Sequence, residues 1–96
     1  MNTGNIINYI NERADLYQEV LNESKKIVNQ INSKVKYPLD IYGDEPYVKI
    51  EVEGLDKKIV INPVKVKAIA EITNCTIDEA IIMLIEKELK FEEEQI

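Results

Sequence analysis

Asp40, Asp44 and Glu45 place three carboxylates within six residues, and Tyr42 and Tyr47 flank them. Carboxylates so close could hold a divalent cation, but the spacing lacks the Asp-x-Asp-x-Asp-Gly order of a calcium loop, so no metal site is expected. Tyrosine combines apolar area with a polar tip and is favoured at interfaces. Tyr42, Asp44, Glu45 and Tyr47 are therefore the expected contact patch for a protein partner with a basic surface. A second cluster, Lys57, Lys58, Lys65 and Lys67, sets four positive charges within eleven residues and is the candidate for phosphate contact under a nucleic-acid reading. Catalytic chemistry has little to work with. The chain has no histidine, and its only serines, Ser24 and Ser33, fall inside a predicted helix, so no nucleophile and base can be paired. Glycines at 4, 43 and 54 are too dispersed to cradle a phosphate. The expectation is a protein that is not an enzyme, with no catalytic, cofactor-binding or metal residues.

Composition and charge narrow the class further. At 96 residues and 45% hydrophobic content the chain reads as one folded domain, residues 1–96. A chain this short buries only somewhat over 60% of its unfolded surface, which makes dimerisation a natural source of extra burial. The single cysteine, Cys75, cannot form an internal disulfide and reads as a small packing residue. The first residues carry no basic flank and no apolar run of signal-peptide length, and the longest apolar run, Ala80 to Ile85, is far short of a membrane span. A cytoplasmic location without membrane contact is the expectation. Ile, Lys and Asn supply 16, 11 and 9 residues, a bias of A/T-rich coding that points to a low-G+C bacterium, its phages or its mobile elements. Residues 1–70 hold ten acidic and ten basic groups, whereas residues 71–96 hold eight acidic and two basic and carry the whole net charge of −6. The C-terminal helix is thus an acidic surface, poorly suited to a DNA groove.

These residues need elements to position them. Ile7, Ile10, Ala14, Tyr17, Leu21, Ser24, Val28, Ile31 and Val35 alternate spacings of three and four, and neither proline nor glycine interrupts residues 5–36, so residues 1–36 are read as one long amphipathic helix. At ~1.5 Å per residue it runs about 45 Å, longer than a domain of this size, so it overhangs its own fold or lies on a partner. Tyr37-Pro38 stops it, and the stretch to Pro46 reads as a loop. Residues 47–61 read as a β-hairpin: Val48, Ile50 and Val52 alternate with Lys49, Glu51 and Glu53, the Gly54-Leu55-Asp56-Lys57 turn follows, and Lys58 to Ile61 return. Asn62-Pro63 starts a helix that ends near Asn74, and Thr76-Ile77-Asp78-Glu79 is a capping box opening another toward Phe91. Residues 62–91 are thus a helix pair and residues 92–96 an acidic tail. The expected fold is α+β in the order α-β-β-α-α. In the last helix Ala80 to Ile85 cover the whole circumference, so one face meets the core and the other needs a covering surface. A homodimer is expected, with Ile10, Tyr17, Leu21, Val28, Ile31, Ile82 and Ile85 as subunit contacts.

Lys57-Lys58-Ile59-Val60-Ile61, then Pro63 to Thr73, then Thr76-Ile77-Asp78-Glu79-Ala80-Ile81 present a strand, a helix, a turn and a helix. Over residues 57–91, about a third of the chain, this order resembles the ribbon-helix-helix regulators, dimeric DNA-binding proteins and antitoxins. The resemblance implies paired strands from two subunits entering the major groove, with Lys58 and Val60 or the opposite face at Lys57 and Ile59 reading bases and Lys65 and Lys67 near phosphates. The residues themselves point first to a non-enzymatic, homodimeric protein-binding protein of inhibitory or accessory kind that works through its acidic surface. A DNA-binding regulator is the alternative.

Overall fold

The structure, a computed structural model, describes residues 2–94, with side chains to Lys90. A 29-residue helix α1 (Gly4–Asn32) leads into a three-stranded antiparallel sheet, β1 (Leu39–Asp44), β2 (Tyr47–Val52) and β3 (Lys57–Ile61), and two helices close the chain, α2 (Pro63–Thr73) and α3 (Ile77–Glu94). The class is α+β, in the order α-β-β-β-α-α. A three-residue 3-10 turn, Glu53–Leu55, joins β2 to β3, and Asp56 completes it in the left-handed region at φ 49°.

Three boundaries show local chemistry at work. α2 begins as its sequence requires, with the Asn62 carboxamide accepting the Val64 N–H at 3.0 Å and Pro63 at the first helical position; it ends at Asn74, left-handed at φ 53°. In α3 the Thr76 hydroxyl accepts the Glu79 N–H at 3.3 Å, one arm of the expected capping box. α1 is shorter than the expected residues 1–36. The Asn32 side chain donates to the Leu39 carbonyl at 2.9 Å and accepts the Leu39 N–H at 2.7 Å, and the Ser33 hydroxyl donates to the Gln30 carbonyl at 2.8 Å. Short polar side chains here compete with helix propagation and divert the chain toward β1. Val35, the last member of the apolar seam, and Ser33 therefore lie outside the helix.

The segment read as a loop before Pro46 is instead the first strand. All six of its residues pair with β2, from Leu39 opposite Val52 to Asp44 opposite Tyr47, and only Glu45 and Pro46 form the turn. The inward positions are Leu39, Ile41 and Gly43. Gly43 is there for a contact: a Cβ at that position would lie 1.9 Å from the Tyr17 hydroxyl oxygen. Its turn-like residue type serves the packing of α1 against the strand. The hairpin of residues 47–61 is present, extended by β1 into a three-strand meander.

The helices cover one face of the sheet, α1 over β1 and β2 and α3 over β3, while α1 also touches α2 and α3. Between the layers lie Val20, Leu21 and Val28 of α1, Val48, Ile50, Ile59 and Ile61 of the sheet, Val66 of α2, and Ala80, Ile81, Leu84 and Ile85 of α3, all buried. The apolar girdle of α3 divides: those four face inward, while Ile82 and Met83 stay exposed at 41% and 46%. Strands of five or six residues span about 20 Å, whereas α1 spans about 43 Å, so the helix outruns the sheet that covers it. The molecule is accordingly elongated, 55 × 24 × 22 Å.

Candidate interaction surface

Register places the expected contact patch on the uncovered sheet face. Val48, Ile50 and Val52 point to the core, so Tyr47, Lys49 and Glu51 point outward; Lys49 stands opposite Tyr42 and Glu51 opposite Lys58. Tyr42, Asp44, Glu45 and Tyr47 come together around the β1–β2 turn, with both tyrosines exposed. The charges on this face are matched internally. Lys49 pairs with Asp44, Lys58 pairs with Glu51 at 3.2 Å, and the Tyr42 hydroxyl donates to Glu51 at 3.0 Å. The hydrogen bond and charge of Lys49 hold the Asp44 carboxyl below its ordinary range, while Tyr42 and then Glu51 push the Lys58 ammonium upward. At the other end of β1, Glu53 is raised, first by its hydrogen bond with Asp40 and then by that group's charge. Asp40, Asp44 and Glu45 do not gather into one site: Asp40 meets Glu53, and Asp44 is taken by Lys49.

The other side of the same turn borders an apolar groove. Tyr9, Ile10, Ala14 and Tyr17 of α1, Glu45 and Pro46 of the turn, and Pro63 and Val64 at the start of α2 line a cavity of ≈ 450 Å³. Arg13 lies in it with its guanidinium 4.9 Å from the Tyr9 ring centre, a cation–π contact. Burial and the charges of Glu45 and Asp44 raise the Tyr17 hydroxyl above its ordinary range, and its ring end lies beneath Gly43. Beyond the groove, α1 carries Ile6, Ile7, Tyr9 and Ile10 at 62%, 53%, 59% and 60% exposure. Residues 1–11 contain no charged side chain. The groove joins three elements far apart in sequence, and no local pattern announces it: Pro46 reads as punctuation and Val64 as an ordinary helical residue.

The expected subunit contacts separate into two groups. Tyr17, Leu21, Val28 and Ile85 are buried in the chain's own core and Ile31 is partly buried, leaving Ile10 and Ile82 with exposed surface. The seam's covering surface over its central turns is the chain's own sheet. The four lysines also part company. Lys58 stands on the exposed sheet face in its ion pair, Lys57 is half-buried at the start of β3, Lys65 is exposed on α2, and Lys67 lines a shallow groove with Glu12, Asp15 and Glu19. Cys75 is half-buried and accepts the Thr73 hydroxyl at 3.0 Å, a packing position. Asp78 and Glu79 stand in the first turn of α3, where Thr76 lowers the Asp78 carboxyl. The side chains of Glu92 to Glu94 lie outside the described residues. Among the described residues no group of three or more metal-binding side chains gathers, and no helix is long and apolar enough to cross a membrane.

No family model, curated protein or solved structure matches the chain.

Proposed function

We propose that the protein acts by contact rather than catalysis: a homodimer held through the uncovered end of α1, presenting the acidic α3 and the tyrosine-bearing hairpin turn to a partner with a basic surface. The observation that carries this reading is the run Ile6, Ile7, Tyr9 and Ile10, each more than half exposed on a helix end without charge. Apolar patches of a few hundred Å² on a small protein mark interaction sites. At roughly 100 Å² per side chain, four of them from each of two copies give about 800 Å². Pro46, Ala14 and Val64 of the adjoining groove bring the total toward the ~1,200 Å² of a stable interface. The helix end carries no charged side chain through residue 11, in keeping with the depletion of charge at interface centres, and Arg13 and Glu45 of the groove would fall at the rim. Asp78, Glu79 and Glu86 stand one turn from exposed Ile82 and Met83 on α3, with Lys87 beside them, a mixed apolar and mainly anionic face suited to a basic partner. An inhibitor or accessory protein of a phage or mobile element fits this size and charge.

Sedimentation equilibrium tests the reading. The wild-type chain is expected to be a dimer at micromolar concentration and Ile7→Glu with Ile10→Glu a folded monomer; a wild-type monomer at all concentrations sinks the proposal.

A ribbon-helix-helix-like regulator is the second reading, favoured by one observation. β3 stands at the end of the strand order β1-β2-β3, so among the described residues one side of Lys57–Ile61 has no strand neighbour and could pair with a second copy. Lys58 is then drawn away from Glu51 toward phosphate or bases. Binding to a random-sequence duplex at low salt, with a steep loss of affinity as salt rises, would move this reading to first place.

A further inference from the structure

At the pole where α1 ends, a second concavity of ≈ 250 Å³ opens between the α1–β1 connection, the 3-10 turn and α3. Its floor is the buried pair Val52 and Ile85, and its rim is Val35, Tyr37, Leu55 and Leu89, each more than a third exposed. Among the described residues no carboxylate, amide or aliphatic hydroxyl lines it, and Lys36 is its one charged side chain. Four large apolar residues kept at the mouth of one concavity are more than scattered surface exposure.

The walls are held in place without a ligand. The paired hydrogen bonds between Asn32 and Leu39, at 2.9 and 2.7 Å, clamp both ends of the connection that carries Val35, Lys36 and Tyr37. On the opposite wall the Tyr37 ring lies directly on Gly54, where a Cβ would come within 2.2 Å of two ring carbons. A site whose shape is set beforehand loses little freedom on binding.

We propose that this pocket binds the aliphatic chain of a medium-length carboxylate, with Lys36, its one charged lining residue among those described, meeting the head group. A polar ligand would lose hydrogen bonds to water and find little replacement on these walls, where the Tyr37 hydroxyl and Lys36 are the only polar side-chain groups among the described lining residues. A carboxylate head leaves the apolar part of the ligand inside and gives Lys36 an opposite charge, with no carboxylate among the described lining residues to compete. At about 30 Å³ per methylene-sized unit, taking water's share of liquid volume as the measure, the space admits roughly eight methylenes. The site lies at the end of α1 opposite the dimer patch, and the proposal stands independently of dimerisation.

Octanoate is the probe, titrated into the isotopically labelled full chain and followed by amide chemical shifts. Saturable shifts are expected at residues 34–39, 53–56 and 85–89. Lys36→Gln is expected to weaken octanoate about two- to fivefold, the upper part of the range of an exposed ion pair, and to leave octanol unchanged. Leu55→Asp, at a rim position that is 60% exposed, is expected to weaken both at least tenfold. No saturation at millimolar octanoate overturns the proposal. Shifts centred on Ile6 to Ile10 do so as well, since they mean adsorption to exposed apolar surface, and a response to an apolar peptide without one to octanoate reassigns the pocket to a protein anchor. Equal binding of octanoate by wild type and Lys36→Gln removes the head-group assignment and with it the carboxylate.

Discussion

Ile7 and Leu21 sit on the same stripe of the same helix, fourteen residues apart, yet Ile7 is 53% exposed and Leu21 is buried. Nothing in the helix distinguishes them. The difference lies beneath: around Leu21 the stripe meets β1 and β2, whereas the first three turns of α1 extend past the end of the short sheet. A periodic apolar stripe states which face requires burial and leaves open what buries it. In this chain one half is covered from within, and the other stays exposed, which is the ground for the dimer proposed above.

The same substitution in both halves is the sharpest way to break that comparison. Leu21→Glu puts a carboxylate into the core, at a cost of several kcal/mol against a total stability of about 5–15 kcal/mol, so the cooperative thermal transition should vanish from circular dichroism. Ile7→Glu is a surface change expected to stay within about 0.5 kcal/mol. Its effect should appear in sedimentation, as loss of the proposed dimer. If both variants unfold, the overhang belongs to the core and the two halves are alike after all.

Gly43→Ala is next in size and probes how closely β1 covers α1. The added methyl group would lie 1.9 Å from the Tyr17 hydroxyl oxygen, so ring or strand must shift. Overpacking of this kind costs about 1–3 kcal/mol, and for a domain of this size each kcal/mol lowers the melting midpoint by roughly 4–8 °C. Tyr17→Phe removes the colliding oxygen. A double-mutant cycle should therefore show Gly43→Ala to be less damaging when combined with Tyr17→Phe than alone, and strict additivity would mean that the two groups do not meet.

That contact also explains how far the fold could be read in advance. The long helix, the hairpin and the α2–α3 pair carry their own signals: a stripe, an alternation, an Asn-Pro start and a Thr-x-x-Glu cap. β1 does not, because Asp40, Gly43 and Asp44 imitate turn chemistry, and the reason for a glycine at 43 is a tyrosine twenty-six residues earlier. The end of α1 was hidden similarly, since Asn32 finds its partner at Leu39 only after the chain has turned back. At the candidate site the tyrosines and carboxylates were legible as a cluster because one hairpin turn carries them. The groove beside them was not, because Ile10, Pro46 and Val64 meet only in three dimensions.

The covered half of α1 contains an imperfection at Ser24. Ser24 lies on the stripe between Leu21 and Val28, fully buried, and its hydroxyl has no hydrogen-bond partner among the described residues. Such a group costs about 1–3 kcal/mol of desolvation without return, while alanine keeps the small volume. Ser24→Ala should therefore stabilise the chain by about 1 kcal/mol and raise the melting midpoint. A fall in the midpoint would mean that the hydroxyl does find a partner, and that the covering is wetter than the packing indicates.

The smallest effects belong to the two ends of β1, the strand that provides the cover. Glu53 beside Asp40 has a raised pKa, so its protonated form is favoured by folding; its contribution is complete below the unfolded carboxyl's pKa and is lost as pH rises through the folded value. Asp44 beside Lys49 has a lowered pKa, so its contribution is complete above the unfolded value and is lost as pH falls through the folded one. Thermal midpoints measured across the acid-to-neutral range should separate the two. Glu53→Gln should flatten the decline on the neutral side of the carboxylate range and lift the midpoint slightly at neutral pH, by removing a like-charge contact. Asp44→Asn should flatten the acid limb and lower the neutral-pH midpoint slightly. Both groups are solvent-exposed, so salt should shrink both effects, and neither should alter the proposed dimer, because the overhang at Ile6 to Ile10 contains no charge to titrate. If association did follow the titration of Asp44, the partner copy would have to reach the hairpin turn as well as the helix end, and the boundary between the covered and uncovered halves of α1 would move toward Tyr17.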